Sequence, residues 1–214
     1  WSCHSGFKFK REHTQTPFKK NKYITFGSFN NFLKLSDDVI TVWSKILKSV
    51  KNSKLILKSS FNYNNKKILD KFIKKGVQDS IEIHDKNNYS ELEDHIKLYN
   101  KIDLALDTFP YNGVTTTFEA LWSGVPVISM KGHNMNSRAG ESILINGNIH
   151  NFIASSHNDY IKKAVYFANN IEKLDEARNK IFKNILESPL FNSQKFSSDL
   201  QNQLLKIYDR KLPN

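Results

Sequence analysis

Short apolar runs of β type alternate with amphipathic helical segments along most of this chain, and that alternation restricts its fold more than any other feature. Residues 24–29 read as a strand. Ser36, Asp37 and Asp38 then supply a helix cap and an acidic first turn, ahead of an apolar stripe through Trp43, Ile46, Leu47 and Val50. A buried strand is expected over 55–57. A helix follows over 66–75, with Ile68, Leu69, Phe72 and Ile73 on one face and Gly76 closing it. Next come a third strand over 81–84, a third helix over 89–100 and a fourth strand over 104–108. Gly113 marks a turn, a helix opens at Thr116, Gly124 and Pro126 stop it, and a fifth strand covers 127–130. Another helix begins near Ser137, and 152–154 makes a last short strand. The remainder is helical over 160–169, 174–186 and 197–208, with Pro189 parting the last two. Such alternation predicts an α/β fold: a doubly wound parallel sheet of Rossmann-like type, covered by helices on both faces. Sheets of this kind bind ligands beyond the carboxyl ends of their strands, which singles out the loops after Phe29, His84 and Phe109.

At 214 residues the chain can build one well-cored domain or one lobe of a larger enzyme. It starts at Trp1 rather than Met, as an excised portion of a longer product would. Residues 1–22 show no apolar period and read as an irregular connector, 23–190 as the lobe itself, and 191–214 as a C-terminal helix. No apolar stretch approaches the roughly 20 residues of a membrane helix, and nothing resembles a secretory signal. The single cysteine, Cys3, rules out an internal disulfide framework and fits a reducing compartment, so the expected location is cytoplasmic. A net charge of +11 would suit nucleic acid, but the lysines are scattered among Asn and Ile and no nucleic-acid motif accompanies them. The same field also favours capture of a nucleotide diphosphate.

The run from Asp107 through Gly113, Thr115, Thr116, Thr117 and Glu119 to Pro126 carries the chemistry. It reads as the end of a buried strand, a glycine turn, a rank of hydroxyls and a first helical turn. The opening turn of a helix presents unpaired N–H groups and the positive end of the helix dipole, a combination that holds phosphate. Gly113 allows close approach of backbone to an anion. The plainer alternative is an ordinary capping box, Thr116-x-x-Glu119. Walker-type and Gly-x-Gly-x-x-Gly loops are both absent, which weakens ATPase and dehydrogenase readings. There is no Asp-x-Asp motif and no His/Cys cluster at ligand spacing, so no metal site is expected; Cys3-His4 is too sparse to count.

Several motifs occur in order: Ile24-Thr-Phe-Gly-Ser-Phe-Asn30-Asn31-Phe-Leu-Lys34, then Leu106-Asp-Thr-Phe-Pro-Tyr-Asn-Gly-Val-Thr-Thr-Thr-Phe-Glu-Ala-Leu-Trp-Ser-Gly-Val-Pro, then Ser137-Arg138 and Ser188-Pro-Leu-Phe-Asn192. Together they closely resemble the C-terminal, donor-binding lobe of the O-linked N-acetylglucosamine transferase and SPINDLY family, over about residues 23 to 208. The resemblance implies one lobe of the two-lobed GT-B glycosyltransferase fold, with additional C-terminal helices. It makes Lys34 the catalytic residue, a cation that contacts the donor diphosphate and stabilises the departing nucleotide. Asn30 and Asn31 stand at donor-contacting positions, Asn31 where the animal enzyme has glutamine. Gly113, Thr115 and Thr116 match the pyrophosphate turn, and Glu119 the carboxylate near the ribose hydroxyls. His95 matches a histidine that stacks on uracil, while residues 85–88 would offer backbone groups to the base edge. Val114 replaces a histidine of the animal enzyme, removing one polar contact. Arg138 matches the transferase branch and favours a UDP-sugar over GDP-fucose.

The reading that follows is a glycosyltransferase donor lobe, with UDP-N-acetylglucosamine as donor substrate, no cofactor and no metal. The implied acceptor is a Ser or Thr hydroxyl of a protein or peptide, though some relatives glucosylate asparagine. The implied partner is the missing N-terminal lobe or repeat domain, in the same chain or another, with 191–214 packing toward it. A non-catalytic nucleotide-binding or assembly module, a sugar-nucleotide epimerase and, less favoured, a nucleic-acid-binding domain are the alternatives.

Overall fold

In the computed structural model the described residues are 3–12, 14–58, 65–85, 87, 89 and 91–211. Their strands are β1 (Thr25–Ser28), β2 (Lys54–Lys58), β3 (Ile81–His84), β4 (Leu104–Leu106), β5 (Val127–Met130) and β6 (Ile153–Ala154). The helices are α1 (Phe18–Asn21), α2 (Asp37–Ser49), α3 (Asn65–Ile73), α4 (Leu92–Lys97), α5 (Thr115–Trp122), α6 (Ala139–Asn146), α7 (His157–Asn169), α8 (Ile171–Asn184) and α9 (Ser193–Lys211). All strand pairs are parallel, in the order β3-β2-β1-β4-β5-β6. Phe26 of β1 is flanked by Leu55 and by Leu104. The chain therefore winds outward from β1 in one direction, then returns to β4 and winds in the other. Loops leaving the carboxyl ends of β1 and β4 diverge there and open a crevice.

The central strands are buried on both faces, which is why β2, β4 and β5 carry consecutive apolar residues rather than alternating ones; β1 is equally buried but encloses Thr25, Gly27 and Ser28 beside Phe26. Helix α2 starts where expected: Ser36 Oγ accepts from Val39 N at 3.3 Å, and Asp37 and Asp38 occupy the positive first turn. Its stripe of Val39, Ile40, Trp43, Ile46 and Leu47 is buried. Each such large side chain contributes about 1.5–3 kcal/mol on leaving water. At the far end of α5, Gly124 takes φ +77°, and a Cβ there would run into the Phe182 side chain. Glycine is thus required twice over at that stop.

Several boundaries move. The fourth strand ends at Leu106 instead of 108, because Asp107 turns its carboxylate onto the amides that follow. The third helix divides into α4 and a 3-10 turn, Leu98–Lys101; Ser90, within its expected span, lies outside the described residues. The segment read as an irregular connector contains α1. Phe7 and Phe9 stack at 5.4 Å and meet Trp122 edge-on at 4.9 and 5.3 Å. The Arg11 guanidinium lies 4.0 Å from the centroid of Phe182 and its Nε donates to Trp122 O at 2.7 Å. Sequence periodicity misses this because the contacts are aromatic and long-range. Trp1, Ser2 and His13 of that segment lie outside the described residues, as do 212–214 at the other end. Helix α9 keeps Phe196, Leu200, Leu204, Ile207 and Tyr208 exposed. No helix among the described residues is long and apolar enough to cross a membrane.

Candidate active site at the carboxyl edge of the sheet

The loops after β1 and β4 are tied together by one buried carboxylate. Asp107 Oδ1 accepts from Gly113 N at 2.7 Å, Thr108 N at 2.8 Å and Asn30 Nδ2 at 3.3 Å, while Oδ2 accepts from Ser129 Oγ at 2.6 Å. Burial pushes its pKa up to about 6, against these hydrogen bonds and the nearby Lys34 charge. Asn112, wholly buried, performs the companion task. Its Nδ2 donates to Thr108 O and Met130 O, and its Oδ1 accepts from Gly140 N. The turn between β4 and α5, which includes a cis Phe109–Pro110 peptide, is thereby locked to β1, β5 and α6.

Gly113 sits where a Cβ would strike the Thr116 hydroxyl and approach Asn30 Oδ1 and Asp107 Oδ1. Only glycine leaves that space. Thr116 Oγ1 in turn donates to Asn30 Oδ1 at 3.2 Å, and Thr117 Oγ1 donates back to Gly113 O. Helix α5 opens after Val114, which supplies no side-chain cap, and the N–H groups of Thr115 and Thr116 have no acceptor among the described residues. The capping-box alternative fails, since Glu119 points sideways to other partners. A crevice at this point is lined by Ser28, Asn30, Asp107, Thr116 and Thr117 among others. Ser28 Oγ is buried there without a hydrogen-bond partner among the described residues.

Lys34 ends a short 3-10 turn, Phe32–Lys34, whose entry is fixed by Asn31 Oδ1 accepting from Leu33 N at 3.0 Å. The turn sends the lysine across to the β4 loop. Its Nζ donates to Asn112 O at 2.9 Å and stands 4.1 Å from the centroid of the half-exposed Tyr111 ring. Burial pulls its pKa down, and the Asp107 charge opposes that shift. An ammonium, a set of unpaired helix-opening amides and the Thr116 hydroxyl thus meet around the Gly113 turn.

A second network adjoins the crevice through Phe29 and Tyr99, which also line it. His95 of α4 lies 3.0 Å from Glu119 Oε2 through Nε2 and 2.9 Å from Lys58 Nζ through Nδ1. The Tyr99 hydroxyl reaches the same Glu119 oxygen at 3.0 Å, and the Phe29 ring meets Tyr99 edge-on. Glu119 is buried, and the His95 ring meets Phe29 and Tyr99, themselves in contact, in T-shaped arrangements. Arg138 stands apart, at the start of α6, with an exposed side chain donating to Glu141 at 2.8 Å. Of the 85–88 loop, Lys86 and Asn88 lie outside the described residues. No group of three His, Cys, Asp or Glu side chains suited to a metal occurs among the described residues.

Sequence reasoning assigned no role to Asp107, Asn112, Tyr99 or Lys58. A polar residue closing an apolar strand before a glycine turn is the one signal that could have marked Asp107; Tyr99 and Lys58 gave none.

Comparison with known proteins bears on the family and the fold. The chain matches glycosyl transferase family 41 over residues 10–200. It is 35% identical over 198 residues to a probable UDP-N-acetylglucosamine–peptide N-acetylglucosaminyltransferase SPINDLY of Eustoma exaltatum subsp. russellianum, covering 91% of this chain and 22% of that protein. It thus spans little more than a fifth of that relative's length. Among solved structures, a K341M mutant of the Thermobaculum terrenum O-GlcNAc transferase superposes with a TM-score of 0.80 at 26% identity, over 88% of this chain and 36% of that one. TarM shares the fold at a TM-score of 0.67 and 20% identity, over 94% of this chain and 37% of its own. The sheet order is that of one Rossmann-like lobe of a GT-B glycosyltransferase, and the chain belongs to glycosyl transferase family 41.

Proposed function

We propose that this chain is the donor-binding lobe of a glycosyltransferase and that it holds a UDP-sugar, UDP-N-acetylglucosamine, for transfer to Ser or Thr hydroxyls of a protein. The observation that carries the reading is the convergence on one turn of the Lys34 ammonium, through Asn112 O at 2.9 Å, with Thr116 and the open N-terminus of α5. Cleavage of a sugar–phosphate bond builds negative charge on the departing diphosphate. A fixed ammonium and helix-opening amides stabilise that charge, with no metal assigned to the task. In this reading Lys34 exchanges its carbonyl partner for a phosphate oxygen, Asn30 holds Thr116 in place, and Glu119 accepts from the ribose hydroxyls. Asn31 acts through the turn that aims Lys34. Arg138, paired with Glu141 at the surface, would need to leave that partner to reach a ligand.

The other lobe supplies acceptor contacts, so the isolated chain is expected to bind nucleotide without transferring sugar. The exposed apolar side of α9 is the surface assigned to that lobe. Calorimetric titration with UDP and GDP tests the reading. UDP should bind more tightly than GDP, and Thr116→Val should weaken UDP by about tenfold through loss of one hydroxyl donor and its bond to Asn30. Equal binding by the variant would remove the α5 turn from the site, and preference for GDP would transfer the donor to the other branch of the family.

A further inference from the structure

Lys58, the last residue of β2, belongs to none of the motifs that mark the crevice, yet it touches the network that adjoins it through Tyr99. Its Nζ lies 2.9 Å from His95 Nδ1. An ammonium carries donors and no acceptor, so Nδ1 must offer its lone pair. The imidazole proton then resides on Nε2, which donates to Glu119 Oε2 at 3.0 Å. On its other side that oxygen lies 3.0 Å from the Tyr99 hydroxyl, which also reaches Thr116 O at 3.1 Å. Oε2 is therefore engaged from two directions, whereas Glu119 Oε1 has no hydrogen-bond partner among the described residues. The groups facing His95 are Lys58 from β2, Glu119 from α5, Tyr99 from the turn after α4 and the Phe29 ring from the loop after β1.

We propose that Lys58 is a positioning residue that fixes His95 as its Nε2–H tautomer and, through His95, turns the free oxygen of Glu119 toward the vicinal hydroxyls of a nucleoside. The clause about the nucleoside rests on the function proposed above; the clause about the tautomer does not. Without the ammonium, Nδ1 loses its donor and nothing on that side holds it bare. His95 then also samples the Nδ1–H tautomer, in which Nε2 no longer donates to Glu119 and the carboxylate loses that hold.

Imidazole nitrogen chemical shifts measured by NMR at neutral pH, on the chain and on its Lys58→Met and Lys58→Arg variants, test the first clause. The native chain and Lys58→Arg should show a protonated Nε2 and a bare Nδ1, while Lys58→Met should show a population protonated on Nδ1 instead. A native His95 protonated on Nδ1, or a Met variant with unchanged shifts throughout, would overturn the proposal. UDP titration of the same proteins tests the second clause. Lys58→Met should bind about tenfold more weakly and Lys58→Arg close to the native value, the loss of one positioned charged hydrogen bond. Native affinity in a Met variant whose tautomer has changed would break the link to the nucleoside. If no protein of the set binds a nucleotide, the proposed function falls, and the NMR result alone still decides the role of Lys58.

Discussion

Asp103 and Asp107 bracket β4, one at each end, and the two carboxylates are alike in burial and in the direction of their pKa shift but differ in their partners and in what lies beyond them. Each is buried, each has its pKa pushed up to about 6 by burial, and each is held by backbone amides. Asp103 accepts from Phe18 N at 2.8 Å and Thr25 N at 2.7 Å, and the buried Arg178 donates to the carbonyls of Ile102 and Asp103. Its surroundings are closed: α1, β1 and α8 seal the amino end of the sheet. Asp107 accepts from Gly113, Thr108, Asn30 and Ser129, and from these the contacts continue to Thr116, Lys34 and the crevice. A perturbed buried carboxylate therefore does not by itself identify a site. The distinguishing feature is whether its network ends in donors left free for a ligand.

The comparison can be broken most forcefully at the closed end. Asp103→Ala leaves the Phe18 and Thr25 amides without their acceptor and takes away the negative charge beside the buried Arg178, and should cost about 2–5 kcal/mol in denaturant unfolding. Nucleotide binding by the surviving folded fraction should be unchanged; loss of binding at constant stability would erase the division between the ends. At the open end, Lys34→Ala should lower sugar transfer by the complete enzyme about 100- to 1,000-fold, as loss of one charge-stabilising donor does elsewhere. Thermal unfolding of that variant should match the native chain. Native turnover would deny Lys34 its proposed part.

A third measurement uses the shared pKa. Both aspartates release their protons near 3.8 in the unfolded chain and near 6 in the folded one. The folded state thus binds more protons in between, and their contribution to stability, full below about pH 4, is lost as pH rises through 6. Asp107→Asn keeps the shape and can retain the acceptor side facing Gly113 and Thr108. It should flatten the fall in unfolding free energy between about pH 4 and pH 7 by on the order of 2–3 kcal/mol. A slope identical to that of the native chain would show that Asp107 ionises normally. The smallest effect is expected at α9, where Leu200→Ser should change the stability of this chain by less than about 0.5 kcal/mol because its apolar side is exposed. A large loss would mean that α9 is held by this lobe itself.

Much of this was legible in the residues. Period and punctuation located the sheet, since Gly76, Gly124 and Pro126 stop helices where backbone geometry demands it, and buried parallel strands must be continuous apolar runs. The Gly113 turn and the threonines after it pointed, through local chemistry alone, to the turn where Lys34 and the open amides of α5 meet. Harder to read were the packing of Phe7, Phe9 and Arg11 on Trp122 and Phe182, and the division of the third helix. Those depend on partners distant in sequence, to which a local pattern is blind.

By itself the sequence determined the order of strands and helices, the loops that reach the carboxyl edge, and the residue types able to hold a diphosphate, because each of these follows from local propensity and short-range spacing. Tertiary structure alone decided that Asp107 is the pivot of the β4 turn, that Lys34 reaches Asn112 O, and that Lys58, His95, Glu119 and Tyr99 form one hydrogen-bonded series. Those contacts join separate crossovers of the chain, and the directions of side-chain donors and acceptors exist only once the sheet has set the crossovers side by side.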